Sequence, residues 1–97
     1  MEVKHSQDVP AGLMDGVTGV TVRLLWPATD DGASYTLQLV EVAPGAVTPP
    51  LQFAYRHEIY VLSGEGILRG KSQEYTLMPD DTIFIQPHEE HQFSNTY

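Results

Sequence analysis

The chain has 97 residues, enough for one domain with a modest core. It carries 13 acidic against 5 basic residues, a formal net charge of −8, and no cysteine. The charge argues against nucleic acid as a partner, since phosphate contacts need clustered Lys and Arg, and the missing cysteines exclude disulfides and thiolate metal sites.

Residues 1–15 are polar and aperiodic and predict an N-terminal arm with at most one short strand. The segment Met1–Asp8 has no apolar stretch of the kind a signal peptide needs. No apolar run approaches the ~18 residues of a membrane span, so the expectation is a cytoplasmic protein without a membrane partner. Residues 16–97 predict a single all-β domain. Val17 to Trp26 is rich in β-branched residues and reads as a strand. Residues 27–32 form a loop, and Tyr35 to Val42 a second strand with Tyr35, Leu37 and Leu39 in phase. Pro44-Gly45 turns the chain, and Pro49-Pro50 holds it stiff. His57 to Leu62 is strand-like and ends in the glycine turn Ser63-Gly64-Glu65-Gly66. Ile67 to Arg69 and Gln73 to Leu77 read as a hairpin. Thr82 to Ile85 and His91 to Asn95 are the last strands, each preceded by a turn. The adjacent acidic pairs Asp30-Asp31, Asp80-Asp81 and Glu89-Glu90 read as solvated surface. His5 and His88 are expected in solvent, and Trp26, Tyr35, Tyr60 and Tyr75 in a core or interface.

Two segments carry a further pattern. In the first, Gly45 and Gly64 frame Leu51, Phe53 and His57; in the second, Asp80, Pro87 and His88 precede His91 and Asn95. This spacing resembles the two motifs of the cupin superfamily, in particular small single-domain bacterial cupins. The resemblance implies an all-β cupin, a jelly-roll or double-stranded β-helix barrel. It places Gly45 and Gly64 in the glycine slots of the first motif, and His91 and Asn95 in their slots in the second. Asp80 and His88 replace glycines there, and both residue types tolerate left-handed backbone better than most.

The departures bear on function. Leu51 and Phe53 stand where the family has its paired metal-binding histidines, and His57 stands in the slot usually held by glutamate. By the resemblance, His57 and His91 are the two remaining imidazoles, facing the barrel lumen. A divalent transition metal wants at least three N or O donors, so the metal site is degenerate and no cofactor is the expectation. Gln52, Tyr55 or Glu58 would reach the lumen only through a local irregularity such as a bulge. The lumen is expected to be lined by Leu51, Phe53, His57, Ile59, His91, Phe93 and Trp26. Such a lining suits a small organic ligand, or a structural or regulatory module.

The alternative is a metal-dependent enzyme of dioxygenase or isomerase type, with Mn, Fe, Ni or Zn on His57 and His91. Metal-independent epimerase or lyase chemistry with one histidine as base also stays open. The sequence ends two residues after Asn95, where such proteins usually continue with another strand. An exposed sheet edge paired by a second copy is the expectation, and the resemblance implies a homodimer. A truncated chain is the alternative.

Overall fold

The structure, a computed structural model, describes residues 1–14, 16–28 and 35–96. The predicted loop lies outside the described residues from position 29 onward. Among the described residues eight strands follow one another: β1 (Gly12–Leu13), β2 (Val20–Trp26), β3 (Leu37–Val42), β4 (His57–Tyr60), β5 (Gly66–Arg69), β6 (Glu74–Leu77), β7 (Thr82–Ile85) and β8 (Gln92–Ser94). Among the described residues the helical content is one 3-10 turn, Ser6–Asp8. The chain divides into two compact units, Met1–Glu41 and Val42–Tyr97.

In the first unit the sheet order is β1-β2-β3. The predicted arm supplies β1, which pairs antiparallel with β2 through Gly12↔Val22 and Leu13↔Thr21. Val20 is fully buried. Arg23 fastens the unit: its guanidinium contacts the Glu41 carboxylate at 2.7 Å and donates to the Val9 carbonyl at 3.1 Å.

The second unit holds two antiparallel sheets, β4-β7 and β6-β5-β8. In β4 the half-buried residues are His57 and Ile59, while Glu58 and Tyr60 are exposed, the alternation of a strand with one inner face. Its partner β7 matches, with His57 opposite Ile85 and Ile59 opposite Ile83. In the other sheet, Leu68 sits between Tyr75 and Phe93 across the register, so all three share one face. Leu68, Leu77 and Ile85 are this unit's buried apolar residues. The segment before β4 makes two isolated bridges to the β8 region, Val47↔Ser94 and Leu51↔His91. Pro49 and Pro50 lie between them and lack the N–H groups a continuous ladder needs.

The motif turns explain the substitutions. Gly45 and Gly64 have φ of 80° each, and Asp80 and His88 have φ of 73° and 65°. All four glycine slots are therefore left-handed, two of them held by other residues. Asp80 is tied down: its N–H donates to Val61 O at 2.8 Å, and its carboxylate accepts the Tyr60 hydroxyl at 2.7 Å. That bond, with some desolvation, pushes the Tyr60 phenol above its ordinary value. The His88 N–H donates to Phe53 O at 2.6 Å. Asn95 closes the frame, its amide donating to Val42 O at 2.9 Å.

Strand positions follow the sequence expectation, with ends trimmed. Beyond Tyr60 the contact with the β7 side continues through Val61, whose N–H donates to Asp81 O at 2.9 Å. Trp26, Tyr35, Tyr60 and Tyr75, expected in a core or an interface, are exposed in the single chain and so lie outside its core. Tyr60 points outward by the alternation of β4, and Tyr75 lies on the edge strand β6, where one flank stays open.

Candidate functional site

His57 and His91 come together in the second unit, with ring centroids 6.2 Å apart. His57 arrives on the inner face of β4. His91 arrives just before β8, locked by a reciprocal backbone pair with Leu51 at 2.7 and 2.9 Å. Residues bridged in this way project to the same face, so Leu51 stands beside His91. Phe53 fills the space next to both imidazoles, 4.7 Å from His57 and 5.9 Å from His91 between centroids. Phe93 meets His91 edge-on at 5.7 Å. Tyr55 stacks on Phe53 and lies 5.0 Å from His57. Sequence reasoning left Tyr55 outside the site because it expected a regular strand through this segment, which is irregular.

The two imidazoles differ in environment. His91 is 5% exposed, and its Nδ1 lies 3.0 Å from the Glu89 carbonyl. A carbonyl only accepts, so this contact puts the proton on Nδ1 and leaves Nε2 with its lone pair. His57 is half-buried, and its Nδ1 is buried with no hydrogen-bond partner among the described residues. Desolvation holds the His57 pKa below its ordinary value, and the neighbouring His91 adds to the effect. Both effects favour the neutral form of His57.

The donor set does not fit a tight metal centre. Among the described residues no group of three or more His, Cys, Asp or Glu could hold an ion. Gln52 turns away to donate to His88 O. Glu58 faces outward and pairs with Arg56 at 2.7 Å. Two imidazoles remain where at least three donors are needed.

A cavity of about 510 Å³ is lined in part by His91. Its buried apolar lining is Leu68, Leu77 and Ile85, with half-buried Ile83 and exposed Tyr75 beside them. Gln73, Asp81, Glu89 and Glu90 make its more polar lining. Of the residues predicted from sequence, His91 alone lines it; Leu51, Phe53, His57, Ile59 and Phe93 lie outside that lining. The alternation Tyr75, Leu77 against Ile83, Ile85 is the signal that would have found this wall. Ile59 faces inward on β4 opposite Ile83. Trp26 belongs to the first unit, is 36% exposed, and carries the Lys4 ammonium 3.9 Å over its ring.

The Cupin domain family profile matches residues 38–97. The chain belongs to the cupin family. Solved structures agree with this all-β cupin assignment. The polyketide cyclase RemF from Streptomyces resistomycificus is 35% identical, with a TM-score of 0.88 over 99% of this chain and 70% of its own. A predicted oxalate decarboxylase from Thermotoga maritima is 23% identical, with a TM-score of 0.83 over 98% of this chain and 88% of its own. A cupin-2 domain from Rhodospirillum rubrum is 21% identical, with a TM-score of 0.78 over 99% of this chain and 66% of its own. The last two likenesses concern fold alone. No curated protein sequence matches the chain. Among the described residues no helix is long and apolar enough to cross a membrane.

Proposed function

We propose that this cupin binds a small organic molecule against His91 and acts on it by proton transfer, without a metal. The observation that carries the reading is the His91 ring: buried, lining a cavity, and fixed by Glu89 O so that Nε2 is the free lone pair. An imidazole oriented in this way at a cavity wall can serve as a general base through Nε2. His57 beside it is biased toward its neutral form.

The 35% identity to a polyketide cyclase suggests the reaction class. His91 Nε2 takes a proton from a carbon flanked by two carbonyls, and the C–H pair becomes an enolate. The enolate carbon attacks a second carbonyl carbon of the same molecule. A C–C bond forms, the carbonyl π pair becomes an alkoxide, and the alkoxide recovers the proton from His91. The balance needs no oxidant. Leu68, Leu77, Ile83 and Ile85 offer an apolar wall against which the substrate chain folds.

The test is deuterium incorporation at the activated carbon of a neutral 1,3-diketone in D2O, followed by NMR. The rate is expected to fall to the buffer rate in His91→Asn and to persist in excess chelator. Exchange that survives His91→Asn, or that stops when chelator is added, overturns the reading.

A further inference from the structure

The cavity beside His91 has an apolar interior but an acidic lining. Asp81, Glu89 and Glu90 contribute three carboxylates, and its described lining includes no lysine or arginine. Two of these carboxylates are fixed in place by backbone donors. Asp81 Oδ2 accepts the Met78 N–H at 2.8 Å, and Glu89 Oε1 accepts the Gln86 N–H at 3.0 Å. Glu90 is half-buried and adjoins His91 in sequence. The remaining polar lining is uncharged: Gln73, which accepts the Tyr75 hydroxyl at 3.0 Å, with Thr76 and Thr82. The basic side chains of the β5–β6 hairpin, Arg69 and Lys71, line an adjoining depression that shares Gly70 and Gln73 with the cavity, and neither enters the cavity lining.

We infer that this lining selects substrates by charge: the cavity takes neutral, flat, hydroxyl- or carbonyl-bearing molecules and rejects carboxylates. The inference rests on the proposed small-molecule site and names its substrate class. A carboxylate entering the cavity leaves water to meet fixed like charges without a compensating cation. A neutral ring system meets apolar walls, and its hydroxyl groups meet carboxylate acceptors. The same logic points away from small dicarboxylates as substrates. It also implies that a polyketone reaches this site as an ester, amide or otherwise uncharged form rather than as the free acid.

A matched pair of probes tests it: methyl 2-naphthoate and 2-naphthoate, equal in ring and opposite in charge state at neutral pH. Affinity is read by NMR titration, with the resonances of Leu68, Leu77 and His91 locating the bound ring. The ester is expected to bind about tenfold or more tightly at low ionic strength. That gap should shrink in about 0.5 M salt, which screens the lining charges. It should shrink again in Glu90→Gln and reverse in Glu90→Lys. Equal or tighter binding of the carboxylate, with shifts at His91, overturns the charge selection and leaves the cavity site standing. A gap that ignores both salt and Glu90→Gln overturns it as well. If neither probe shifts His91, the small-molecule reading falls and this inference with it. The salt series on the unmodified protein decides the matter even if a Glu90 variant fails to fold.

Discussion

Placing histidines where the cupin motif has its paired ligands, Leu51→His and Phe53→His, tests the site most directly. Leu51 is bridged to His91, a pairing that sets side chains on one face about 5.5 Å apart at Cα. The Phe53 ring already lies 4.7 and 5.9 Å from the two imidazoles. The double variant therefore gathers four imidazoles around one point where the parent has two. Its cost follows from burial. Leu51 and Phe53 are both half-buried, so replacing each with a polar ring loses on the order of 1 kcal/mol. For a domain of this size about 2 kcal/mol lowers Tm by roughly 8–16 °C. Metal at 100 times its Kd returns about 2.7 kcal/mol, so the loaded variant is expected to melt at or slightly above the parent. The assay is thermal unfolding with and without Zn, Ni and chelator, together with elemental analysis of untagged protein. The parent is expected to show neither a metal-dependent Tm nor bound metal. A double variant that binds nothing refutes the placement of the motif. A parent that binds metal stoichiometrically, and loses it in His57→Ala and His91→Ala, refutes the two-donor argument.

Three other outcomes follow from particular contacts. His88→Gly is expected to raise stability by about 0.5 kcal/mol, because relief of the left-handed backbone outweighs the extra freedom of glycine in the unfolded chain. Asp80→Gly also loses the Tyr60 bond and is expected to be neutral or destabilising; a lower Tm for His88→Gly would contradict the backbone account. Gly66→Ala places a Cβ 2.8 Å from the Ser94 carbonyl and should cost about 1–3 kcal/mol in urea unfolding, whereas Gly12→Ala meets nothing within 4 Å and serves as the control. The lowered pKa of His57 means that the unfolded chain takes up its proton first. Stability from this group is present above the ordinary value of 6.5 and is lost as pH falls through the lower folded pKa. Urea midpoints from about pH 8 to about pH 5 should show this loss, and His57→Phe should reduce it.

Much of the fold was legible because its signals are local. β-Branched runs marked β2 and β7, and the glycine slots marked turns whose left-handed φ the structure bears out, including the non-glycine residues Asp80 and His88. Whether Tyr60 and Tyr75 join the core was not legible, because an aromatic side chain does not reveal whether its face of a strand is covered; both are exposed in the single chain.

The site divides in the same way. The resemblance to the cupin motifs implied that Leu51 and Phe53 stand at the paired-histidine positions and that His57 and His91 remain. It did not establish what surrounds those positions, since that depends on segments far apart in the chain. Thr48 shows why: fully inside the second unit, it joins residues more than forty positions away, accepting Phe93 N–H on its hydroxyl and Gln92 on its carbonyl. Phe53 beside both imidazoles, the Glu89 carbonyl that fixes the His91 tautomer, and the cavity wall of Leu77 and Ile83 are likewise products of tertiary register. A residue's identity limits the chemistry it can do, but its partners and its desolvation exist only once distant strands have paired.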